Sequence, residues 1–196
     1  MKRIWRAVLC LCGLLCLTGC GEAAPEMAAD GTAWSETWVT VGNVLGVETP
    51  EGMTLRENSD ALSAKGMYYA TWSMGEGETF TNEDGDEAQV YDAQVYLLLA
   101  GYDSTAKAEE AAAEWLDMAS IQYSLETTGS ETWNGQAFTV VTHTYTSETN
   151  PYARGASAFG VYGNYALSVE LSCREDFDGD ALALLADFLE HCRYAA

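Results

Sequence analysis

The period of the apolar positions changes several times along the 196-residue chain, and each change marks an element. After a first apolar run over residues 7–17, no sustained pattern appears until residue 38. Two-residue alternation then sets in. Trp38-Val39-Thr40-Val41, the pair Gly42-Asn43 and Val44-Leu45-Gly46-Val47 read as a hairpin, because Gly and Asn accept the positive φ of a tight turn. Pro50-Glu51-Gly52 turns the chain, and residues 53–56 continue extended. Residues 58–65 fit a helical turn, and 67–74 (MYYATWSM) form a strand of aromatic and β-branched residues. Residues 75–87 are polar, acidic and without period, which predicts a loop. Residues 88–102 predict one long strand, buried on both faces around Val95-Tyr96-Leu97-Leu98-Leu99.

The period lengthens to 3.6 after Asp103 and Ser104, either of which suits a helix N-cap. Ala108, Ala112, Trp115, Leu116 and Ala119 form the inward stripe of a helix ending near residue 120. Alternation returns at Thr132-Trp133, with Asn134-Gly135 as a hairpin turn and a second arm to about residue 146. Another hairpin joins 156–162 to 165–173 through Gly163-Asn164. Tyr165, Leu167, Val169, Leu171 and Cys173 share one face of its second arm; Ser168, Glu170 and Ser172 share the other. Asp178 or Asp180 caps a last helix with the stripe Leu182, Leu185, Phe188, Leu189 and Cys192. His191 and Arg193 sit at its C-terminal end, where the dipole favours positive charge. Strands and helices in this order predict an α+β fold.

The first twenty residues alter how the rest is read. Lys2, Arg3 and Arg6 precede an apolar run too short to span a bilayer, as in an export signal. The run closes on Leu17-Thr18-Gly19-Cys20, which resembles the bacterial lipobox. The resemblance implies cleavage after residue 19 and a lipid on Cys20. It therefore implies attachment to the cell membrane on its extracytoplasmic face. Residues 1–19 are then a signal peptide, 20–36 an acidic, Ala- and Gly-rich tether, and 37–196 one domain. Loss of Lys2, Arg3 and Arg6 leaves six basic against 30 acidic residues, so the formal charge moves from −21 to −24. That field disfavours nucleic acid and anionic lipid headgroups as partners, and suits a solvated surface or a basic partner.

Cysteine usage follows the same division. Cys10, Cys12 and Cys16 leave with the signal, and only Cys173 and Cys192 remain in the domain besides Cys20. Both lie on apolar stripes. A bridge between them, closing a short loop worth about 3 kcal/mol, and two buried free thiols both fit this pattern.

Three stretches resemble the PsbP-like family: Gly46-Val47-Glu48-Thr49-Pro50-Glu51-Gly52, then Trp133-Asn134-Gly135-Gln136-Ala137-Phe138 before a long strand, and the acidic loop 175–180 between the last strand and helix. The resemblance spans about residues 38–194. It implies an α/β/α sandwich and a non-catalytic accessory or assembly role, with no catalytic motif to carry over.

Tests for other chemistry narrow the field. The segment around Ser157 has one residue too many for a Gly-x-Ser-x-Gly elbow and lies within a strand pattern. His143 and His191 form no zinc-binding spacing, and Cys173 and Cys192 form no Cys-x-x-Cys. Asn82, Asp84 and Asp86 place oxygens at alternate positions, a weak calcium candidate. The sixth and twelfth positions of that loop hold Glu87 and Ala93 where an EF-hand needs Gly and Glu. Tyr68, Tyr69, Trp72, Tyr91 and Tyr96 suit either core or a binding platform. No cofactor is implied. The expectation is an envelope lipoprotein that binds a surface protein partner; the alternative is a small extracytoplasmic hydrolase with an unrecognised site.

Overall fold

The computed structural model describes residues 27–29, 31–60, 62–82, 84–147 and 149–195. The expected signal peptide, the stretch that resembles a lipobox and Cys20 lie outside the described residues. Tyrosine- and valine-rich alternation builds one seven-stranded antiparallel sheet. Its members are β3 (Met53–Ser59), β4 (Met67–Met74), β7 (Ala93–Gly101), β8 (Tyr123–Trp133), β9 (Gln136–Tyr145), β10 (Arg154–Tyr162) and β11 (Tyr165–Cys173). Their spatial order is β3-β4-β7-β11-β10-β9-β8. A three-stranded sheet joins β1 (Val39–Val41), β2 (Leu45–Val47) and the C-terminal β12 (Cys192–Tyr194). A separate hairpin pairs β5 (Glu78–Thr81) with β6 (Glu87–Val90).

The two α-helices among the described residues are α1 (Thr105–Gln122), with Ser104 as N-cap, and α2 (Ala181–Glu190), with Asp180 as N-cap. On one face of the large sheet, Leu185, Phe188 and Leu189 of α2 pack with Leu97, Val169, Leu171 and Ala158, and Val41, Leu45 and Val47 of the small sheet extend the same core. Trp72 is its largest buried side chain. Its indole N–H donates to Thr49 Oγ1 at 3.2 Å, and its ring meets Phe188 edge-on at 4.9 Å. On the opposite face α1 lays Ala108, Ala111, Ala112 and Ala119 over Ala166, Phe159 and Val141, small residues that bring helix and sheet close. It packs on β8, β10 and β11 and leaves β3, β4 and β7 without a helix. The expected sandwich is therefore complete over half of the sheet and open over the other half.

Several boundaries differ from the sequence reading. The acidic loop 75–87 and the first residues of the long strand fold into the β5–β6 hairpin, and the chain breaks at Tyr91-Asp92 before β7. The period is hidden there because most residues of β5 and β6 face water. β8 begins directly at the end of α1, nine residues before the predicted start. Packed contacts reach into the segment expected as a tether, 20–36. Ala28 is buried and bridges Ala195, Ala29 N–H donates to Tyr194 at 2.7 Å, and Trp34 and Trp38 sit against Gly46.

The Asn134-Gly135 turn does more than reverse the chain. Asn134 adopts φ 48°, and its side-chain amide donates to the carbonyls of Leu189, Glu190 and Cys192 at 3.2, 2.9 and 2.9 Å. Leu189 and Glu190 are the last residues of α2, whose carbonyls have no i+4 partner within the helix, and Cys192 opens β12, so a β-hairpin tip caps a helix 55 residues away. Asn134→Gly keeps the backbone comfortable and removes only the cap, which should cost about 1–2 kcal/mol. Asn134→Asp, nearly isosteric, should cost more, because it aims a carboxylate at three carbonyls and the negative helix end. Urea unfolding of the two variants checks this; equal loss in both would contradict the capping role.

Candidate functional site

Alternation along β4, β7 and β11 sends every second side chain to the half-open face. In register across the strands, Val141, Ser157, Glu170, Tyr96 and Thr71 form one row. His143, Gly155, Ser172, Gln94 and Ser73 form the next. Polar groups and tyrosines dominate both rows, on the side that sequence alternation assigns to water. Ser172, Ser73, Thr71, His143 and Ser157 are instead buried.

Glu170 is the centre of this arrangement. Tyr123 at the start of β8 donates its hydroxyl to the Glu170 carboxylate at 3.0–3.1 Å, and Tyr145 donates at 2.8 Å. The Tyr145 hydroxyl also meets Ser172 Oγ at 2.5 Å. Burial, and then the neighbouring carboxylate, push both phenols above their ordinary range, so they stay protonated and act as donors. His143 stacks on Tyr123 with ring centroids 4.3 Å apart, and both its nitrogens lack a hydrogen-bond partner among the described residues. Only 1% of its surface is exposed, and burial lowers its pKa to about 4. Ser157 Oγ is equally buried and equally unpartnered.

Toward β4 and β3 no helix covers the face. Tyr96 is 42% exposed and stacks with Tyr69 at 5.9 Å, while the Tyr69 hydroxyl donates to Glu57 at 2.7 Å. Arg56 donates to Ser73 Oγ at 2.6 Å and lies 4.4 Å over the Tyr91 ring. Gln94 accepts from Tyr152 at 2.7 Å. Most polar groups here are held by a second contact, which orders the surface before any ligand arrives.

The aromatic set singled out from sequence therefore divides. Tyr69, Tyr91 and Tyr96 belong to this surface, whereas Trp72 is core and Tyr68 packs over Gly42. Tyr123, Tyr145, Glu170 and Ser172 were missed, because cross-strand register brings together residues up to 49 positions apart. The one available signal was the polar triplet Ser168, Glu170, Ser172 on β11.

The calcium candidate lies in the turn between β5 and β6. Asn82 Oδ1 accepts from the backbone of Asp84 and Asp86 at 3.0 and 2.8 Å, which uses the carbonyl to close the hairpin turn. No three His, Cys, Asp or Glu side chains among the described residues are grouped to hold a metal ion. The bridge between Cys173 and Cys192 is absent too, and both are free buried thiols. Cys173 lies beside Arg154, which holds the loop leading into α2 through the Phe177 and Gly179 carbonyls. Cys192 lies past the C-terminal end of that helix, whose ten residues rise about 15 Å. Burial pushes the thiols up to about 11 and about 12. Thiol titration without reductant should find neither cysteine reactive in the native domain and both reactive after unfolding; loss of both signals in denaturant would indicate a bridge.

No helix among the described residues is long and apolar enough to cross a membrane. No protein-family model matches the sequence, and no curated protein does. Among solved structures, the chain is similar to the solution structure of cyanobacterial PsbP (CyanoP) from Synechocystis sp. PCC 6803. Identity is 12%, covering 74% of this chain and 94% of that one, with a TM-score of 0.41. It is also similar to a crystal structure from Bacteroides thetaiotaomicron VPI-5482, at 11% identity over 80% of this chain and 47% of that one, with a TM-score of 0.42. The chain thus spans about half the length of the Bacteroides protein. Likenesses of this size carry no functional argument, and the half-open polar face has to be interpreted from its own chemistry.

Proposed function

We propose that this is a membrane-anchored envelope lipoprotein whose domain binds a protein partner in an accessory or assembly role, without catalysis. The observation that carries the reading is the half-open sheet face, where exposed Tyr96 and the half-buried, pre-ordered Tyr69 and Tyr91 surround polar groups on a rigid antiparallel scaffold. Such a surface suits recognition more than turnover, because it offers area and fixed donors without an enclosed cleft. The lipobox resemblance supplies the location, and the PsbP-like turns support the accessory role.

The hydrolase alternative has one observation in its favour. Ser157, His143 and Glu170 are a hydroxyl, an imidazole and a carboxylate on adjacent strands of one face. Burial of the first two keeps a substrate from them, which places this reading second. Crosslinking in intact envelopes followed by capture of the protein separates the two. A recovered partner with no turnover in an esterase and amidase screen supports binding; turnover with no partner overturns it. Cys20→Ala should move the protein from the membrane to the soluble fraction, and unchanged sedimentation with membranes would contradict the anchor.

A further inference from the structure

Glu170 is a partly buried carboxylate in the middle strand of the sheet, and its hydrogen bonds come from hydroxyls of Tyr123, Tyr145 and Ser172. Hydroxyls solvate a carboxylate without cancelling its charge. None of the ion pairs among the described residues includes it. The strands of the sheet carry two arginines: Arg154 on β10 is turned to the loop leading into α2, and Arg56 is already committed to Ser73 and the Tyr91 ring. A desolvated anion without a counter-ion is costly, and the cost falls when a cation arrives.

The surroundings indicate what kind of cation fits. Tyr96 stands directly opposite Glu170 on β7 and exposes its ring. Tyr69 extends the aromatic surface, and Tyr123 closes the other side. Aromatic faces beside a carboxylate attract a cation with an organic body, through the ring quadrupole and through stacking. Ser157, the register partner of Glu170 on β10, keeps an unpartnered and fully buried hydroxyl beside it. A single carboxylate among rings is a poor site for a hard divalent ion, which wants several oxygens. A guanidinium matches it better, since its fork pairs with carboxylate and its plane stacks on tyrosine.

We propose that Glu170, Tyr96 and Tyr123 form the receptor for an arginine side chain presented by a basic segment of a partner protein. Charge complementarity supports this occupant. A mature chain of formal charge −24 draws a basic segment in, and the unneutralised carboxylate on β11, at the border between the covered half and the open half, fixes one side chain of it. The proposal deepens the reading of the domain as a binding module and names its partner's chemistry.

The test uses full-length protein in neutral-detergent micelles and a fluorescently labelled, acetylated tetra-arginine peptide amide, read by anisotropy. Glu170→Gln and Tyr96→Ala should each weaken binding at least tenfold, whereas Glu109→Gln, on the solvent side of α1, should change it less than twofold. The amide introduced by Glu170→Gln can still accept from both tyrosines, and Tyr96 is exposed, so both variants should keep the wild-type melting curve. If the Glu170 variant unfolds, the Tyr96 variant decides alone. Binding within twofold of wild type in the variants, or an equal loss in Glu109→Gln, would overturn the proposal in favour of a general acidic field. Specific peptide binding without any captured envelope partner would leave this site standing and count against the wider reading.

Discussion

Gly155→Ala should be among the most damaging single-methyl additions in this chain. A Cβ at Gly155 would stand 2.4 Å from the Leu171 carbonyl oxygen on β11 and 2.6 Å from His143 Nε2. The first is backbone of a paired central strand, which cannot rotate away as a side-chain tip could. Either β10 separates from β11 or His143 loses its place on Tyr123. We expect a loss of about 3 kcal/mol or more, at the upper end for overpacked sites, and a melting point lower by about 6–12 °C. Gly129→Ala is the matched control: a Cβ there meets nothing within 4 Å, and its effect should be small. Thermal unfolding of both variants decides the matter. Equal melting points would mean that His143 and the β10–β11 spacing are not as tight as described.

The acid limb of stability should trace to His143. The groups facing it are Tyr123, Tyr145 and the carboxylate network at Glu170, yet its own nitrogens are unpartnered and its pKa is lowered to about 4. In the unfolded chain the ring takes a proton near pH 6.5, and in the fold it stays neutral. Between those values the unfolded state binds more protons, so stability falls as pH drops from about 6.5 to about 4 and the contribution levels off below. Linkage puts the loss at about 3 kcal/mol. His143→Phe keeps a ring against Tyr123 and removes the titration. Its urea midpoint should equal or exceed that of wild type at pH 7, because two unsatisfied buried nitrogens are gone. The gap between the variants should then widen toward pH 4.5. Parallel pH profiles would contradict the assignment. Carboxylates titrate in the same range, but they are common to both proteins and cancel in the difference.

What could be read from the sequence depended on whether a residue's role is local. The Gly42-Asn43 and Asn134-Gly135 turns, strand β4, both helix caps and the buried stripe of β11 rest on neighbours within one or two turns of chain, and they follow from period and turn chemistry. The half-open face does not. The sequence shows Glu170 only as a polar residue opposite a buried stripe. Its meaning comes from Tyr123, Tyr145 and Tyr96, which reach it through cross-strand register. The β5–β6 hairpin was hidden for a different reason: with both faces largely in water it has no apolar alternation to betray it. Cys173 and Cys192 share a core, and pattern alone could not show that α2 holds them at opposite ends. Asn82 likewise looked like a cation ligand because its hairpin-closing hydrogen bonds are invisible in spacing.

The central claim is that the half-open face, and not the α2 side, meets a partner in the envelope. A photocrosslinking amino acid placed at Thr54, exposed and in register with Ser73 on that face, can be compared in intact cells with one at Leu182, exposed on α2. The expected result is a discrete adduct from position 54 that weakens in the Glu170→Gln background, with none from position 182. An adduct from position 182 alone, or equal yields from both positions, would contradict the claim.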